Sequence, residues 1–446
     1  MAAPDRGRPV GDDEADAAFA PLLRHSCIAL AVSGGADSTA LLLLVASWRA
    51  RRPDGPEIHI LTVDHELRRE SAAEARGVAA LAGRLGLPCR ILAWSGPKPA
   101  SNRQAGARAA RQALLVTAAR ELGAEALVLA HHLDDQAETF LIRLARGSGV
   151  YGLAAMDGIA VWQDGEGGLP LPVLRPLLAF AKERLVATCR AAGVSWCEDP
   201  SNDDVAYTRT RMRGLMPQLA GEGLDAETLG RTAGRLARAA AALDELVEQT
   251  LVRHAAFHPA GPVRVAVADL ARLPREVLLR LLARLLQMTG GEAYPPRLER
   301  LERLAGRLAG GPSVQSTLAG VVARRRGETL FFWRESGRGG IAPLAARGPG
   351  RYVFDRRFEL VLPVGVSGEV AALGPLAASP FPRSAIADWP VAAFNAAPLL
   401  RLRDDAAYCP GLAGSPPPGV RLARLTGEES LWRRELVSNP FDRDEI

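Results

Sequence analysis

The chain has 446 residues, of which 48% are hydrophobic and 24% charged, with a net charge of +5 and a pI near 9.2. This length predicts two or three domains, and the mild positive charge allows an acidic partner such as RNA without requiring one. The five cysteines stand apart and none forms a C-x-x-C pair, which disfavours a disulfide scaffold, a zinc site and an iron–sulfur site. Because no apolar run reaches about 18 residues and the N-terminus lacks an apolar signal segment, we expect a cytoplasmic protein without a membrane partner.

Strand and helix patterns alternate between Cys27 and about Met156, which predicts βαβ units around a parallel sheet. From about Leu215 to Gly310 the pattern is helical. A β-hairpin is predicted for Thr317–Trp333, with its turn at Arg325–Gly327, and the Gly- and Arg-rich segment Gly337–Gly350 is predicted to be a linker.

The expected fold class is therefore α/β, with a parallel-sheet domain at the N-terminal end. The expected parts are a flexible tail at 1–22, the parallel-sheet domain at 23–215, a mainly helical domain at 216–335 and a small β-rich domain at 351–446.

Small residues form the loop after the first predicted strand, Ser33-Gly34-Gly35-Ala36-Asp37-Ser38. The two glycines allow positive φ and close backbone approach, so N–H groups at a helix N-terminus can surround an anion. A carboxylate from Asp37 beside a phosphate calls for a divalent cation such as Mg²⁺ between them, while the serines offer hydroxyls to phosphate or to the helix cap. A plain glycine turn is the alternative. The loop is not a Walker loop, since no Gly-Lys-Ser/Thr follows, and it resembles the pyrophosphate loop of ATP pyrophosphatases, which implies that ATP is bound.

A second polar segment, His131-His132-Leu133-Asp134-Asp135-Gln136-Ala137-Glu138, follows the fourth predicted strand. Asp135 and Glu138 are three residues apart at a helix start and share a face, where they could hold Mg²⁺ on ATP or the ammonium of an amino acid. Histidine with carboxylates also suits zinc, and a helix start merely enriched in acidic residues is a further alternative. Ligands of parallel sheets lie at the carboxyl ends of strands, so we expect this segment, the loop and Asp64-His65 to converge on one crevice.

Two groups of arginines are candidates for contacts with anions. Arg108 and Arg111 lie three apart on a predicted helix and suit phosphate recognition or stabilisation of transition-state charge. Arg209, Arg211 and Arg213 alternate, which suggests an extended arm over a polyanion. For both groups the alternative is a solvated surface.

Taken together and in this order, the motifs resemble those of the tRNA(Ile)-lysidine synthase family over about residues 25–215. They are Ser33–Ser38, Val63–Arg68, Glu70–Glu74, Ala107–Arg111, His131–Thr139, Arg146–Gly149 and Asp199–Asn202 before Arg209 and Arg213.

The resemblance implies an ATP-dependent ligase that adenylates the C2 oxygen of the wobble cytidine in the CAU anticodon of an isoleucine tRNA. Free L-lysine then displaces AMP to give lysidine, which converts AUG decoding to AUA. It implies that residues 23–215 form a nucleotide-binding catalytic domain of the PP-loop type and that residues 216–335 form a tRNA-recognition domain. It also implies that the loop residues bind ATP, that Asp37 binds Mg²⁺, and that Asp135 and Glu138 bind lysine or help to hold the metal. Catalytic roles fall to Asp37, Asp135, Arg108 and Arg111, and tRNA contacts to Arg209, Arg211 and Arg213. The sequence leaves the oligomeric state open, with a homodimer as one alternative.

The sequence departs from the family pattern at flanking positions, with Gln112, Glu66 and Thr210 in place of Tyr, Gly and Asn. Three other functions share the ATP loop or the basic charge. A tRNA sulfurtransferase would need a sulfur-carrying cysteine or a cluster, which the scattered cysteines disfavour. A non-catalytic, nucleotide-responsive RNA-binding protein would not need Asp37, Asp135 and Glu138. An amidotransferase-type ligase shares the loop but not the His-His segment.

Overall fold

The computed structural model describes residues 7–66, 70–94, 103–162, 170–198, 207–292, 294–337, 339–375, 386–403, 407–412 and 414–425. The chain divides into two compact units, formed mainly by residues 1–165 with 170–240 and by residues 241–436. Within the described ranges, no helix combines the length and the apolar character needed to cross a membrane.

The first unit is built on one six-stranded sheet. Its strands are β1 Cys27–Ala31, β2 Glu57–Asp64, β3 Cys89–Ala93, β4 Ala126–Val128, β5 Ile159–Trp162 and β6 Leu171–Leu174. The strand order is β3-β2-β1-β4-β6-β5, and every pairing is parallel except that of β5 with β6. The predicted α/β class with a parallel sheet is confirmed.

The helices of this part of the chain are α1 Asp12–Phe19, α2 Ala36–Arg51, α3 Ser71–Arg84, α4 Arg103–Glu121, α5 Leu133–Ala145, α6 Val150–Leu153, α7 Lys182–Ala191, α8 Thr208–Gly221 and α9 Ala226–His254. Residues of α2, α3 and α7 pack on one face of the sheet and residues of α4 on the other. The central strand β1 is buried throughout. Its Ile28 and Leu30 pack into one apolar layer with residues of α2 and α7, whereas Ala29 and Ala31 pack into another with residues of α4. A strand covered on both faces accounts for the continuous apolar run in the sequence.

The prediction of a flexible tail over residues 1–22 is wrong for the part that the structure describes from residue 12 onward. This segment forms α1 and a following 3₁₀ turn, Ala20–Arg24. Phe19 and Leu22 are fully buried, and the Phe19 ring meets the Trp48 ring edge-on at 5.6 Å. Asp16 pairs with Arg51 at 2.7 Å. The tail looked polar because only one narrow face of the helix is apolar.

The second unit combines helices with three antiparallel sheets. Its helices are α10 Val267–Ala271, α11 Arg275–Gly290 and α12 Leu298–Ala309. Its strands are β7 Ala255–Phe257, β8 Val263–Ala266, β9 Ser313–Leu318, β10 Val321–Arg326, β11 Thr329–Arg334, β12 Leu344–Ala346, β13 Gly350–Phe354, β14 Phe358–Leu362, β15 Gly368–Ala372, β16 Pro398–Leu402, β17 Ala407–Tyr408 and β18 Arg421–Arg424. The sheet orders are β7-β8-β11-β10-β9, β12-β15-β16-β17 and β13-β14-β18.

Three details of the second unit differ from the sequence prediction. The helical stretch is interrupted by β7 and β8, which pair with each other, and β8 also pairs with β11. The predicted hairpin is confirmed at its turn, but β9 adds a third strand to it. The predicted linker contains β12, which pairs with β15.

The predicted boundary after residue 215 falls inside α8, and the division between the two units falls inside α9.

Candidate active site

A cavity of about 510 Å³ opens at the carboxyl ends of β1 and β4, where ligands of parallel sheets bind. The loop after β1 and the segment between β4 and α5 both line it, as do residues of α4, the start of α7 and α8. Among its described lining residues are Ser33, Gly35, Asp37, Ser38, Arg108, Arg111, His131, His132, Asp135, Arg146, Lys182, Tyr207, Arg209 and Arg213. Segments that lie far apart in the sequence therefore meet in one crevice.

The loop from Ser33 to Ser38 is held open by its own hydrogen bonds. The Ser33 backbone N–H donates to Ser38 Oγ at 3.1 Å, and Ser38 Oγ lies 3.1 Å from the Gly35 carbonyl. Gly34 has a φ of +88°, and a Cβ there would stand 3.3 Å from a methyl group of Val78. Only glycine accepts this conformation without strain. The serine hydroxyls and the backbone at the N-terminus of α2 are thus arranged around an open space suited to phosphate.

Asp37 extends from the first turn of α2 into the cavity. In the described part of the chain, its Oδ1 is buried and has no hydrogen-bond partner. A buried carboxylate oxygen without a donor is costly unless something binds it, and hard divalent cations prefer such oxygens. The residues present therefore fit Mg²⁺.

His132 lies between the two parts of the site. Its Nε2 is 3.4 Å from Asp37 Oδ2 and 3.5 Å from Asp135 Oδ2, and its Nδ1 is 3.6 Å from Asp134 Oδ2. Burial opposes a charge on this imidazole, but the carboxylates of Asp135, Asp134 and Asp37 outweigh burial and raise the pKa of His132 to about 10. The imidazolium thus joins carboxylates that would otherwise repel one another.

Asp135 is fixed by the start of α5. Its Oδ2 accepts the His132 backbone N–H at 3.1 Å, which satisfies a donor at the helix N-terminus. Burial favours the neutral carboxyl, but the charges of His132 and Arg209 prevail and lower the pKa of Asp135 to about 2. Asp135 is therefore a carboxylate at neutral pH. The neighbouring His131 differs from the charged His132, because burial lowers the pKa of His131 well below the usual range and keeps its imidazole neutral.

The prediction of an extended arm at Arg209–Arg213 is wrong, because these residues lie in α8. The four-residue spacing puts Arg209 and Arg213 on one face of that helix. Both contact Glu138 of α5, with Arg209 Nε 3.1 Å from Oε2 and Arg213 Nε donating to Oε1 at 2.8 Å. Arg211 points elsewhere and donates to Thr208 Oγ1. Glu138 is therefore buried between two arginines, beside the cavity that Asp135 lines.

Arg108 and Arg111 line the cavity from α4, and burial lowers the pKa of Arg111. Lys182, at the first position of α7, also lines it, and its backbone N–H donates to Asp134 Oδ2 at 2.8 Å. No motif in the sequence marks Lys182 as a site residue, although lysine is rare in this chain and the only other one is Lys98.

Asp64 does not join the lining residues that the structure describes. Its carboxylate accepts hydrogen bonds from Ser71 Oγ at 2.5 Å and from the Glu66 backbone N–H at 2.9 Å, and these lower its pKa. It fixes the start of α3. The expected convergence is confirmed for the loop and the His131–Glu138 segment but not for Asp64-His65, and the predicted Asp199–Asn202 motif lies outside the described residues.

The fold and the loop define a class of ATP-binding proteins, since residues 12–219 match the family model of the PP-loop domain. Relatives that match most of the chain identify the family within this class. The chain is 47% identical to the tRNA(Ile)-lysidine synthase of Methylobacterium sp. over 74% of its own length and 96% of the relative. It is 45% identical to the enzyme of Bradyrhizobium sp. over 71% of its own length and 90% of the relative. It is 37% identical to the enzyme of Ruegeria pomeroyi over 93% of its own length and 92% of the relative. The chain belongs to the tRNA(Ile)-lysidine synthase family and is an ATP-dependent ligase.

Proposed function

We propose that the chain joins free L-lysine to C2 of the wobble cytidine in the CAU anticodon of an isoleucine tRNA, through an adenylated tRNA intermediate. ATP is consumed to AMP and pyrophosphate, and decoding changes from AUG to AUA. The observation that supports this most is the meeting of the Asp37 loop with the Asp135 carboxylate in one cavity, with His132 between them. Family membership supports the choice of substrates.

Adenylation would take place beside the loop. Ser33, Gly34, Gly35, Ala36 and Ser38 would surround the phosphates of ATP, and Asp37 would hold Mg²⁺ through its partnerless Oδ1. When bound, Mg²⁺ would neutralise charge on the phosphates and favour departure of pyrophosphate. The cytidine O2 attacks the α-phosphorus, the bond between the α- and β-phosphates breaks, and pyrophosphate leaves with the electron pair. Arg108 and Arg111 would stabilise the charge that develops on the α-phosphate.

Lysine would then bind at the carboxylates of α5. Asp135 stays ionised at neutral pH and can hold the ammonium of an amino acid. Glu138 would serve as a second ligand, which requires it to give up part of its contact with Arg213, the more exposed of its two partners. The ε-amine loses a proton before it attacks C2, because a neighbouring carboxylate favours the charged form. The C2–O bond to AMP then breaks, and AMP leaves with the electron pair.

The tRNA would approach from the side of α8. Arg209 and Arg213 line the cavity, and Arg211 lies on an exposed part of the same helix. Their charges suit an RNA backbone, and an anticodon loop presents unstacked bases that proteins recognise individually. The proposal includes a homodimer and a cytoplasmic location, where ATP, lysine and tRNA occur together.

Labelled lysine, ATP and purified isoleucine tRNA with a CAU anticodon test the proposal, with methionine tRNA as the matched control. Label is expected in the isoleucine tRNA alone and only with ATP. Without lysine, the isoleucine tRNA should still release pyrophosphate and become adenylated. Transfer that needs no ATP, or equal label in both tRNAs, would contradict the proposal. A variant with all five cysteines replaced by serine should keep the activity, whereas a sulfurtransferase would lose it.

A further inference from the structure

Three metal-ligating side chains meet at the end of the sheet opposite to the ATP loop. Cys27 and Glu57 are the first residues of β1 and β2 and stand directly opposite each other in the parallel register. His59 follows on the same face of β2, opposite the small side chain of Ala29. His59 Nε2 lies 2.9 Å from Glu57 Oε1, and one ligand atom from each of the three residues lies within 4.8 Å of the others.

The donor set selects a class of cation. A thiolate, an imidazole and one carboxylate suit Zn²⁺ and similar transition ions, whereas Mg²⁺ and Ca²⁺ prefer oxygen alone. Tetrahedral zinc with bonds of about 2.0–2.3 Å places its ligand atoms roughly 3.3–3.7 Å apart. Separations of up to 4.8 Å would therefore shorten by about 1 Å, and the 2.9 Å separation of His59 Nε2 from Glu57 Oε1 would widen by about 0.4 Å. Glu57 is 68% exposed and can turn to achieve this, while the buried Cys27 and the mostly buried His59 keep their places.

The electrostatic surroundings favour a cation here. Two glutamates flank the start of β1: Glu57 stands opposite Cys27 in the parallel register, and Glu125 donates its backbone N–H to the Cys27 carbonyl at 2.9 Å. Glu125 is held in position by Ser26, whose hydroxyl donates to it at 2.7 Å, and it lies 3.6 Å from His25. The Cys27 thiol donates a weak hydrogen bond to the Leu122 carbonyl at 3.8 Å. Two carboxylates beside a thiol form a negative field that a divalent ion would neutralise.

We propose that Cys27, Glu57 and His59 bind one Zn²⁺ ion, with water as the fourth ligand. On binding, the S–H bond of Cys27 breaks, a bond between sulfur and zinc forms, and the proton goes to solvent, without any change of oxidation state. The ion would link the first residues of the adjacent strands β1 and β2 and add stability by mass action. The ligands come from two different strands, so the site has no C-x-x-C spacing. For this reason the cysteine pattern in the sequence argued against zinc. The site is distinct from the magnesium site proposed at Asp37.

Cobalt titration of the full-length protein tests this site, since a thiolate bound to Co²⁺ gives a sulfur-to-metal charge-transfer band. One equivalent of Co²⁺ should produce the band, and Zn²⁺ should abolish it. Cys27→Ser should remove the band, and His59→Gln should weaken metal affinity about tenfold or more. Cys89→Ser is the matched control, because Cys89 is the corresponding first residue of β3 and its thiol is not a ligand of this site.

The outcomes separate this site from adventitious binding. A wild-type titration without the band, a band that survives Cys27→Ser, or equal loss in Cys89→Ser would overturn the proposal. If Cys27→Ser proves unfolded by circular dichroism, His59→Gln decides alone, and unchanged affinity there overturns it. Asp37→Ala should leave the band intact, and Cys27→Ser should keep lysine transfer, so this test can fail without affecting the proposed ligase reaction.

Discussion

The replacement Glu138→Gln tests the link between the arginines of α8 and the lysine site. Glu138 is only 2% exposed, and its two oxygens face Arg209 at 3.1 Å and Arg213 at 2.8 Å. Glutamine keeps the shape and one acceptor oxygen but removes the charge, so both guanidinium groups then face a neutral partner. The change therefore separates the ionic role of Glu138 from its packing.

The structure sets the expected magnitude. A hydrogen bond to a charged group contributes about 1.5–3 kcal/mol, and removing one member of a buried ion pair costs about 3–5 kcal/mol. Arg213 is 39% exposed and Arg209 19%, so water replaces part of the loss. We expect the free energy of unfolding to fall by about 2–3 kcal/mol. If Glu138 also binds lysine, the KM for lysine should rise about tenfold, equivalent to about 1.4 kcal/mol.

Urea unfolding at constant m-value and lysine titration of tRNA labelling measure the two effects separately. Glu121→Gln is the control, because Glu121 makes a 2.6 Å pair with Arg90 in which both side chains are about half exposed. It should cost less than about 1 kcal/mol and leave the KM for lysine unchanged. An unchanged stability of Glu138→Gln would refute the ion-pair argument. An unchanged KM for lysine would restrict Glu138 to positioning the arginines.

Three further predictions concern other parts of the molecule. Asp37→Ala should abolish pyrophosphate release while leaving tRNA binding, measured by filter retention, nearly intact; equal loss of both would indicate a folding defect. Gly290→Ala should lower the free energy of unfolding by about 1–2 kcal/mol, because its Cβ would stand 2.7 Å from a backbone carbonyl, whereas Gly306→Ala, with open space around it, should raise it by up to about 1 kcal/mol. Hydrogen bonding from Arg184 lowers the pKa of Glu14 to about 2, so its contribution is complete above pH 4.5 and lost as pH falls towards 2. Because the pair is exposed, it is worth less than about 1 kcal/mol, and Glu14→Gln should remove that part of the acid dependence in urea unfolding.

The first unit of the fold could be predicted because its central strand is buried on both faces. Continuous apolar runs such as Cys27–Ala31 end at glycine-rich or polar loops, and this pattern specifies a parallel strand locally. In β6, by contrast, Pro172 lies within the strand, and proline is unusual in a strand interior, so the sequence does not indicate a strand there. In α1 and the 3₁₀ turn that follows it, Phe19 and Leu22 are the large buried apolar residues, and Phe19 packs against the distant Trp48. Tertiary contacts of this kind leave no local signal.

The site shows the same division between local and distant information. The loop could be found because Gly34 needs a positive φ and Asp37 follows at a helix start, both of which are local requirements. The helical position of Arg209 and Arg213 could not be found from their alternation. Their partner is Glu138, about 70 residues earlier, and the four-residue spacing that joins them to it requires a helix.

The charges around the cavity explain why lysine would enter last. Its described cationic lining residues are Arg108, Arg111, Arg146, Lys182, Arg209 and Arg213, and the charged His132 is added to them. The carboxylates in the same lining are Asp37 and Asp135. An excess of positive charge attracts ATP and the RNA backbone and disfavours a cationic amino acid. Under the proposed reaction, the phosphates of bound ATP would neutralise part of this positive charge before the ammonium of lysine gains from Asp135, so the charge distribution supports binding of lysine after the nucleotide.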